Sequence, residues 1–224
     1  MRTLGLVSVF ALVVLLGVSS PIQADTISGP FTTTTPIAYT LTDWTGSLSF
    51  PMFDSRLGTL TEVDLTLSGS MYTVLTVHNS SPTGSTGHAN THLQMTLQDA
   101  GNNLIAPQID LMSPSYTYTL AANETKTSGT LSKSGSSSDQ YFDPVVLAEF
   151  TGTGSILLSA STFTETAVFN TGGNTDASQV TQGQLTGTVT YHYNLVPEPS
   201  TLVLLLGIGA IGMLGYSRRR RQGV

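Results

Sequence analysis

Apolar and polar residues exchange at every step through Val63-Asp64-Leu65-Thr66-Leu67-Ser68-Gly69. That period of two belongs to a β-strand with one buried and one wet face. The same pattern recurs in Leu93-Gln94-Met95-Thr96-Leu97, in Tyr116-Thr117-Tyr118-Thr119-Leu120 and in Val189 to Leu195, and more weakly at Leu48 to Phe50 and Leu75 to Val77. Turn-forming residues separate these runs at Gly58, Gly69-Ser70, Ser80 to Gly87, Gly101 to Asn103, Ser134 to Ser138 and Gly172-Gly173-Asn174. The pattern predicts an all-β domain: an antiparallel, jelly-roll-like β-sandwich of about eight to ten strands in two sheets. The stretch from Thr125 to Gln140 is Ser/Gly/Lys-rich, and its middle is expected to form a mobile hairpin tip. Asp143-Pro144-Val145-Val146-Leu147-Ala148-Glu149-Phe150 departs from the period. A capping residue followed by proline predicts one helical turn there, with Leu147 and Phe150 plugging an open end of the sandwich.

Two apolar runs break the alternation outright. After Met1-Arg2, the run Leu4 to Val18 and the small-residue site Ile22-Gln23-Ala24 read as a secretory signal peptide over residues 1–24, cut between Ala24 and Asp25. At the other end stand Pro197-Glu198-Pro199, the apolar segment Leu202 to Tyr216, and Arg218-Arg219-Arg220-Arg221. Fifteen residues give about 22 Å of helix against a hydrocarbon core of about 30 Å, so this is a short transmembrane segment. The arginine cluster holds its own end on the cytoplasmic side, which leaves the preceding domain, residues 25–195, facing outward. Residues 196–221 resemble the PEP-CTERM sorting signal of Gram-negative bacteria. The resemblance implies processing by exosortase, a membrane protease, then release from transient membrane anchorage to the cell surface or extracellular matrix. A lasting C-terminal anchor is the alternative.

Charge and cysteine content narrow the function classes. The chain has eight basic and fourteen acidic residues, but five of the bases lie in the terminal signals. Only Arg56, Lys126 and Lys133 remain in the domain against thirteen acids, leaving about −10. Such a surface repels phosphate backbones, so no nucleic-acid partner is expected. With no cysteine, disulfides, thiolate metal sites and cysteine nucleophiles are all excluded. Ser and Thr supply roughly a quarter of the chain, which suits exposed strand faces and equally suits polysaccharide contact.

A second resemblance rests on Phe53-Asp54-x-x-Leu57-Gly58-Thr59-Leu60-x-x-Val63-x-Leu65-x-Leu67-x-Gly69, with Trp44 before it and Leu147-Ala148-x-Phe150-x-Gly152-x-Gly154 downstream. This pattern is similar to the choice-of-anchor E domain of exported bacterial proteins. The resemblance covers nearly all of residues 25–195 and implies a β-rich domain with no assigned activity. Physically, the motif reads as a chain reversal at Asp54 to Gly58 that feeds a central strand.

No catalytic constellation emerges. His88 and His92 are four apart, but along a strand that spacing separates them by roughly 13 Å, too far for one metal. His78 and His192 read as exposed strand histidines. Glu62-Val63-Asp64 and Asp139 to Asp143 are the closest acidic groupings, and capping or solvation explains them. Gly84-Ser85-Thr86-Gly87 reads as a loop rather than a nucleophile elbow. Asn79 and Asn123 match the glycosylation sequon but read as turn asparagines. Trp44 and Tyr116, Tyr118, Tyr191 and Tyr193 fit either a core or a sugar-binding platform. The expectation is a non-enzymatic structural or adhesive protein with no cofactor and no metal site. An exopolysaccharide-binding module is the alternative, followed by a hydrolase with an unrecognised carboxylate pair.

Overall fold

The computed structural model describes residues 26–32, 36–104 and 106–195. The signal peptide, its Ala24/Asp25 cut site, Pro197-Glu198-Pro199, the segment Leu202 to Tyr216 and Arg218 to Arg221 lie outside them. Among the described residues the fold is mostly strand, in two antiparallel sheets. The strands are β1 (Thr26–Thr32), β2 (Ile37–Leu41), β3 (Thr45–Pro51), β4 (Gly58–Asn79), β5 (Ser85–Gln98), β6 (Ile109–Met112), β7 (Tyr116–Leu120), β8 (Thr125–Thr127), β9 (Leu131–Tyr141), β10 (Ser155–Thr171) and β11 (Thr175–Leu195), with one helix, α1 (Pro144–Glu149), between β9 and β10. In the first sheet β11 pairs with β4; β1 and β2 share the outer edge of β11, and β8 and β9 share the outer edge of β4. In the second, β10 lies between β3 and β5, and β6 and β7 flank β5.

The sheets face one another across a core to which both contribute. Leu65, Leu67, Leu185 and Val189 of the first sheet pack with Leu48, Phe50, Leu93 and Met95 of the second. A smaller cluster of Leu75, Val77, Ala89, Tyr118 and Leu120 fills the other end. Between these clusters along the strands, Thr73, Thr91 and Thr181 point inward. The Thr73 hydroxyl lies 3.1 Å from that of Thr91 and 2.8 Å from that of Thr181. All three are buried, so the trio joins β4, β5 and β11 across the interior and satisfies groups that would otherwise be stranded.

Three expectations need correction. Eleven strands are described, more than the eight to ten expected. Gly69-Ser70 is not a turn, because Gly69 continues the inward series Leu67-Gly69-Met71, and a Cβ there would stand 2.8 Å from Met95 Sδ. The glycine marks close approach of the opposite sheet. The middle of the stretch 125–140 is not a hairpin tip either, since β9 begins at Leu131 and Ser134 to Ser138 pair with Ser70 to Thr66. An edge strand with little to bury carries no apolar alternation, and Ser70 and Ser134 instead bring their hydroxyls to 2.7 Å.

The helix meets its expectation. The Asp143 carboxylate accepts from the Val145 N–H at 2.8 Å, and Pro144 is the first helical residue. Phe150 and Val146 are buried in the main core, with Leu147 packed against it.

The threonine trio yields a test. Thr73→Val alone strands the buried Thr91 hydroxyl, while Thr181 keeps its bond to the Gln179 side-chain oxygen, and is expected to destabilise by about 1–3 kcal/mol. The triple variant T73V/T91V/T181V, which removes every member together, is expected to lose less than the sum of the three single changes. Thermal unfolding of the four variants checks this, and strict additivity would refute the coupling.

Candidate functional site

The FDxxLGTL residues form a fixed turn into β4. The Leu57 N–H bonds the Asp54 carbonyl at 3.0 Å, closing the expected reversal. Side-chain and backbone hydrogen bonds from Arg56 hold the Asp54 carboxyl at about 2, below the ordinary carboxylate range. Gly58 then enters β4 where a Cβ would sit 2.1 Å from the Asn194 carbonyl oxygen, so no side chain fits. Phe53 is buried against Tyr191 and Tyr193.

The aromatic candidates divide. Tyr118, Tyr191 and Tyr193 are core residues, while Tyr116 and Trp44 pack on its edges. Tyr191 donates to the Pro51 carbonyl at 2.6 Å, and burial pushes its phenol pKa above the usual value. Exposed aromatics appear elsewhere, at Phe163 and Phe169 on the outer face of β10. The imidazole of His88 stacks on Phe169 at 4.9 Å.

The sequon asparagines also separate. Asn79 is buried, and its amide donates to the Thr83 and Ala121 carbonyls while its oxygen accepts from the Ser81 and Asn174 N–H groups. It thereby ties the β4–β5 and β10–β11 turns to the loop after β7. Asn123 is exposed with a left-handed φ of 56°. Ser85 begins β5 and is buried, so Gly84 to Gly87 is mostly strand rather than the expected loop.

His88 and His92 share no partner. His92 stands between Glu165 (3.3 Å) and Asp110 (3.2 Å) on the outer face of the second sheet. His78 contacts the Thr125 hydroxyl at 2.9 Å. His192 is not the exposed strand residue expected: its side chain is only 16% exposed, and its Nε2 lies 3.0 Å from Asp64 Oδ2. Glu62 completes the group, with one ligand atom from each of the three residues within 4.8 Å of the others. A bulge creates this arrangement. Glu62 pairs with His192 and Leu60 with Tyr193, so Thr61 is the extra residue and its hydroxyl donates to the His192 carbonyl at 3.0 Å. The slip lets Leu60 and Val63 both face the core while Glu62 and Asp64 project beside His192. A recess of about 530 Å³ borders Asp64 and is lined further by Thr66, Ser138, Asp139, Gln140 and Phe142.

A second pair of acids meets at the helix end. Asp99 is buried and accepts from the N–H groups of Gly101, Asn103 and Leu104. Burial raises its carboxyl, but those three donors, together with a hydrogen bond to the Glu149 side chain, outweigh burial and hold it below the ordinary range. Glu149 moves upward through burial, and hydrogen bonding to and charge on Asp99 add to this against the lowering donor Asn103. With both Asp99 oxygens occupied by backbone donors, the pair closes the 99–104 loop onto α1. The spacing of Glu62 and Asp64 on one strand face was visible in the sequence. Their meeting with His192, and that of Asp99 with Glu149, depends on register and tertiary contact that no local pattern carries.

Residues 195–221 match the PEP-CTERM protein-sorting motif. The motif marks an exported protein sorted to the cell surface through exosortase, a membrane protein. No curated protein matches the chain. Among solved structures, a chain of the Cry23Aa1 and Cry37Aa1 binary protein complex aligns at 10% identity over 79% of this chain and 88% of that one, with a TM-score of 0.23. A chain of the infectious bursal disease virus Gx strain aligns at 11% identity over 80% of this chain and 42% of that one, with a TM-score of 0.13. Likenesses this low carry no argument about fold or function. No helix among the described residues is long and apolar enough to cross a membrane.

The Asp99–Glu149 pair predicts a pH signature. Because the folded state raises the Glu149 pKa, that group's stabilising contribution is full below its unfolded value of about 4.3 and is lost as pH rises. Asp99 has the opposite sign, its contribution being lost as pH falls. Glu149→Gln removes the first effect and keeps the three backbone donors that account for most of the second. The variant is expected to unfold at a higher temperature than the parent at pH 7.5, with the gap closing toward pH 4. Melting curves across that range check it, and a pH-independent gap would contradict the raised Glu149 pKa.

Proposed function

We propose that the chain is an exported, non-catalytic structural or adhesive protein of the cell surface or extracellular matrix, released from the membrane by exosortase cleavage near Pro197-Glu198-Pro199. The matched sorting motif at residues 195–221 carries this reading. In it, residues 1–24 are a signal peptide removed before Asp25, and Leu202 to Tyr216 with Arg218 to Arg221 form the transient membrane signal. We read the two packed sheets as a jelly-roll-like β-sandwich of the choice-of-anchor E type. The turn at Phe53 to Gly58 supports an architectural use of that motif, and the backbone donors on Asp99 support a structural rather than hydrolytic use of its pair with Glu149.

The intact mass of the protein from native culture medium and from membranes tests the reading. A soluble form beginning at Asp25 and ending within Pro197 to Pro199 is expected. A protein found only in membranes and retaining Arg218 to Arg221 would overturn release and make the tail a lasting anchor.

One observation favours an exopolysaccharide-binding role as a second reading. Phe163 and Phe169 are 58% and 56% exposed on one face of β10, where apolar rings offer stacking surfaces for sugars. Replacing both with alanine is expected to abolish retention of the protein on immobilised native exopolysaccharide. Unchanged retention would remove this reading.

A further inference from the structure

The geometry points to a divalent-cation site on the outer face of the first sheet, built from Glu62, Asp64 and His192 and suited to zinc or manganese. One donor atom from each side chain lies within 4.8 Å of the other two. Ligands that bind one ion at about 2.0–2.2 Å stand roughly 3–4 Å apart, so small side-chain rotations close the site. One imidazole with two carboxylates is a mixed donor set for ions such as zinc and manganese, whereas calcium takes six to eight oxygens.

A separate observation concerns Asp64 itself. Its Oδ2 accepts from the His192 imidazole at 3.0 Å, while its Oδ1 is withdrawn from solvent and has no hydrogen-bond partner. A carboxylate oxygen removed from water without a donor is costly, and a cation supplies the missing interaction. The backbone beneath is fixed. Glu62 and Asp64 sit on β4 and His192 on β11, the two central strands, and the Thr61 bulge sets their projection. Side-chain exposures of 16% for His192 and 31% for Asp64 leave the group shielded yet reachable. The adjoining recess brings Asp139 and Gln140 near Asp64, adding oxygen atoms at the entrance. A domain charge of about −10 draws cations toward the domain as a whole.

The full chain, stripped with chelator and titrated by calorimetry with zinc chloride or manganese chloride alone, tests the site. The parent chain is expected to take one more equivalent than His192→Gln, or to bind at least about tenfold more tightly, and to gain thermal stability that the variant does not. His92→Gln, which alters the carboxylate-flanked histidine of the other sheet, is expected to bind as the parent does. Equal binding by the parent and His192→Gln overturns the proposal, as does loss of the ion in His92→Gln alone. If His192→Gln does not fold by circular dichroism, Glu62→Gln replaces it. Independently of any variant, the ion must shift the His192 ring nitrogen resonances of the parent chain, and unmoved resonances also overturn the site.

Discussion

The ladder between β4 and β11 runs from Gly58 opposite Leu195 to Asn79 opposite Thr175, with one slip at Thr61. A strand that shifts by one residue sends its entire buried set to the solvent face. Both ends of this ladder are therefore pinned by groups that tolerate no shift. At one end Gly58 passes so close to the Asn194 carbonyl that only hydrogen fits, and at the other the Asn79 amide is committed to four backbone partners. Between these locks Leu65, Leu67, Val189 and Tyr191 can only face inward, and every other strand of the first sheet hangs on the outer edges of these two.

Without cysteine, and with little charge to pair, the domain holds its sheets by packing and hydroxyl contacts. Among the described residues the lysine and arginine ion pairs, Arg56 with Asp54 and Lys126 with Glu124, are local and largely exposed, and pairs of that kind contribute little. The hydroxyl contacts differ in kind. Thr73, Thr91 and Thr181 bridge the two sheets inside the core, whereas Ser70 with Ser134 and Thr76 with Thr127 run across the edge strands. A composition rich in Ser and Thr thus serves the interior as well as the wet surface, a division that composition alone does not reveal.

What was legible in the chain followed what was local. Alternation at Val63 to Gly69 and Leu93 to Leu97 marked core strands because each inward residue there is apolar. Asp143 and Pro144 marked the helix because a cap acts within its own turn. Edge strands were illegible for a matching reason: β9 buries little, so Ser134 to Ser138 carry no apolar signal and look like a turn. Gly69 misled because close packing and chain reversal call for the same residue. The Glu62, Asp64 and His192 group was half legible, since the first two share a strand face. The third arrives from about 130 positions away through register alone.

The place of β11 constrains how such a domain is exported and sorted. It is a central strand of the first sheet, flanked by β4 on one side and β1 and β2 on the other, and it is also the last described strand. β4 can pair with β8 and β9 beforehand, but the first sheet cannot be completed until residues 175–195 have arrived to carry β1 and β2, and pairings this distant in sequence form slowly. The sorting motif begins at residue 195, where β11 ends. Pro197 stands only two positions beyond that end, a reach of at most about 7 Å. In the exported reading, the signal that detains the chain at the membrane is thus attached directly to the strand whose arrival completes the sheet. Under the proposed function, detention there would give β11 time to enter between β1 and β4 before release, and cleavage so close to the strand end would leave almost no loose chain behind.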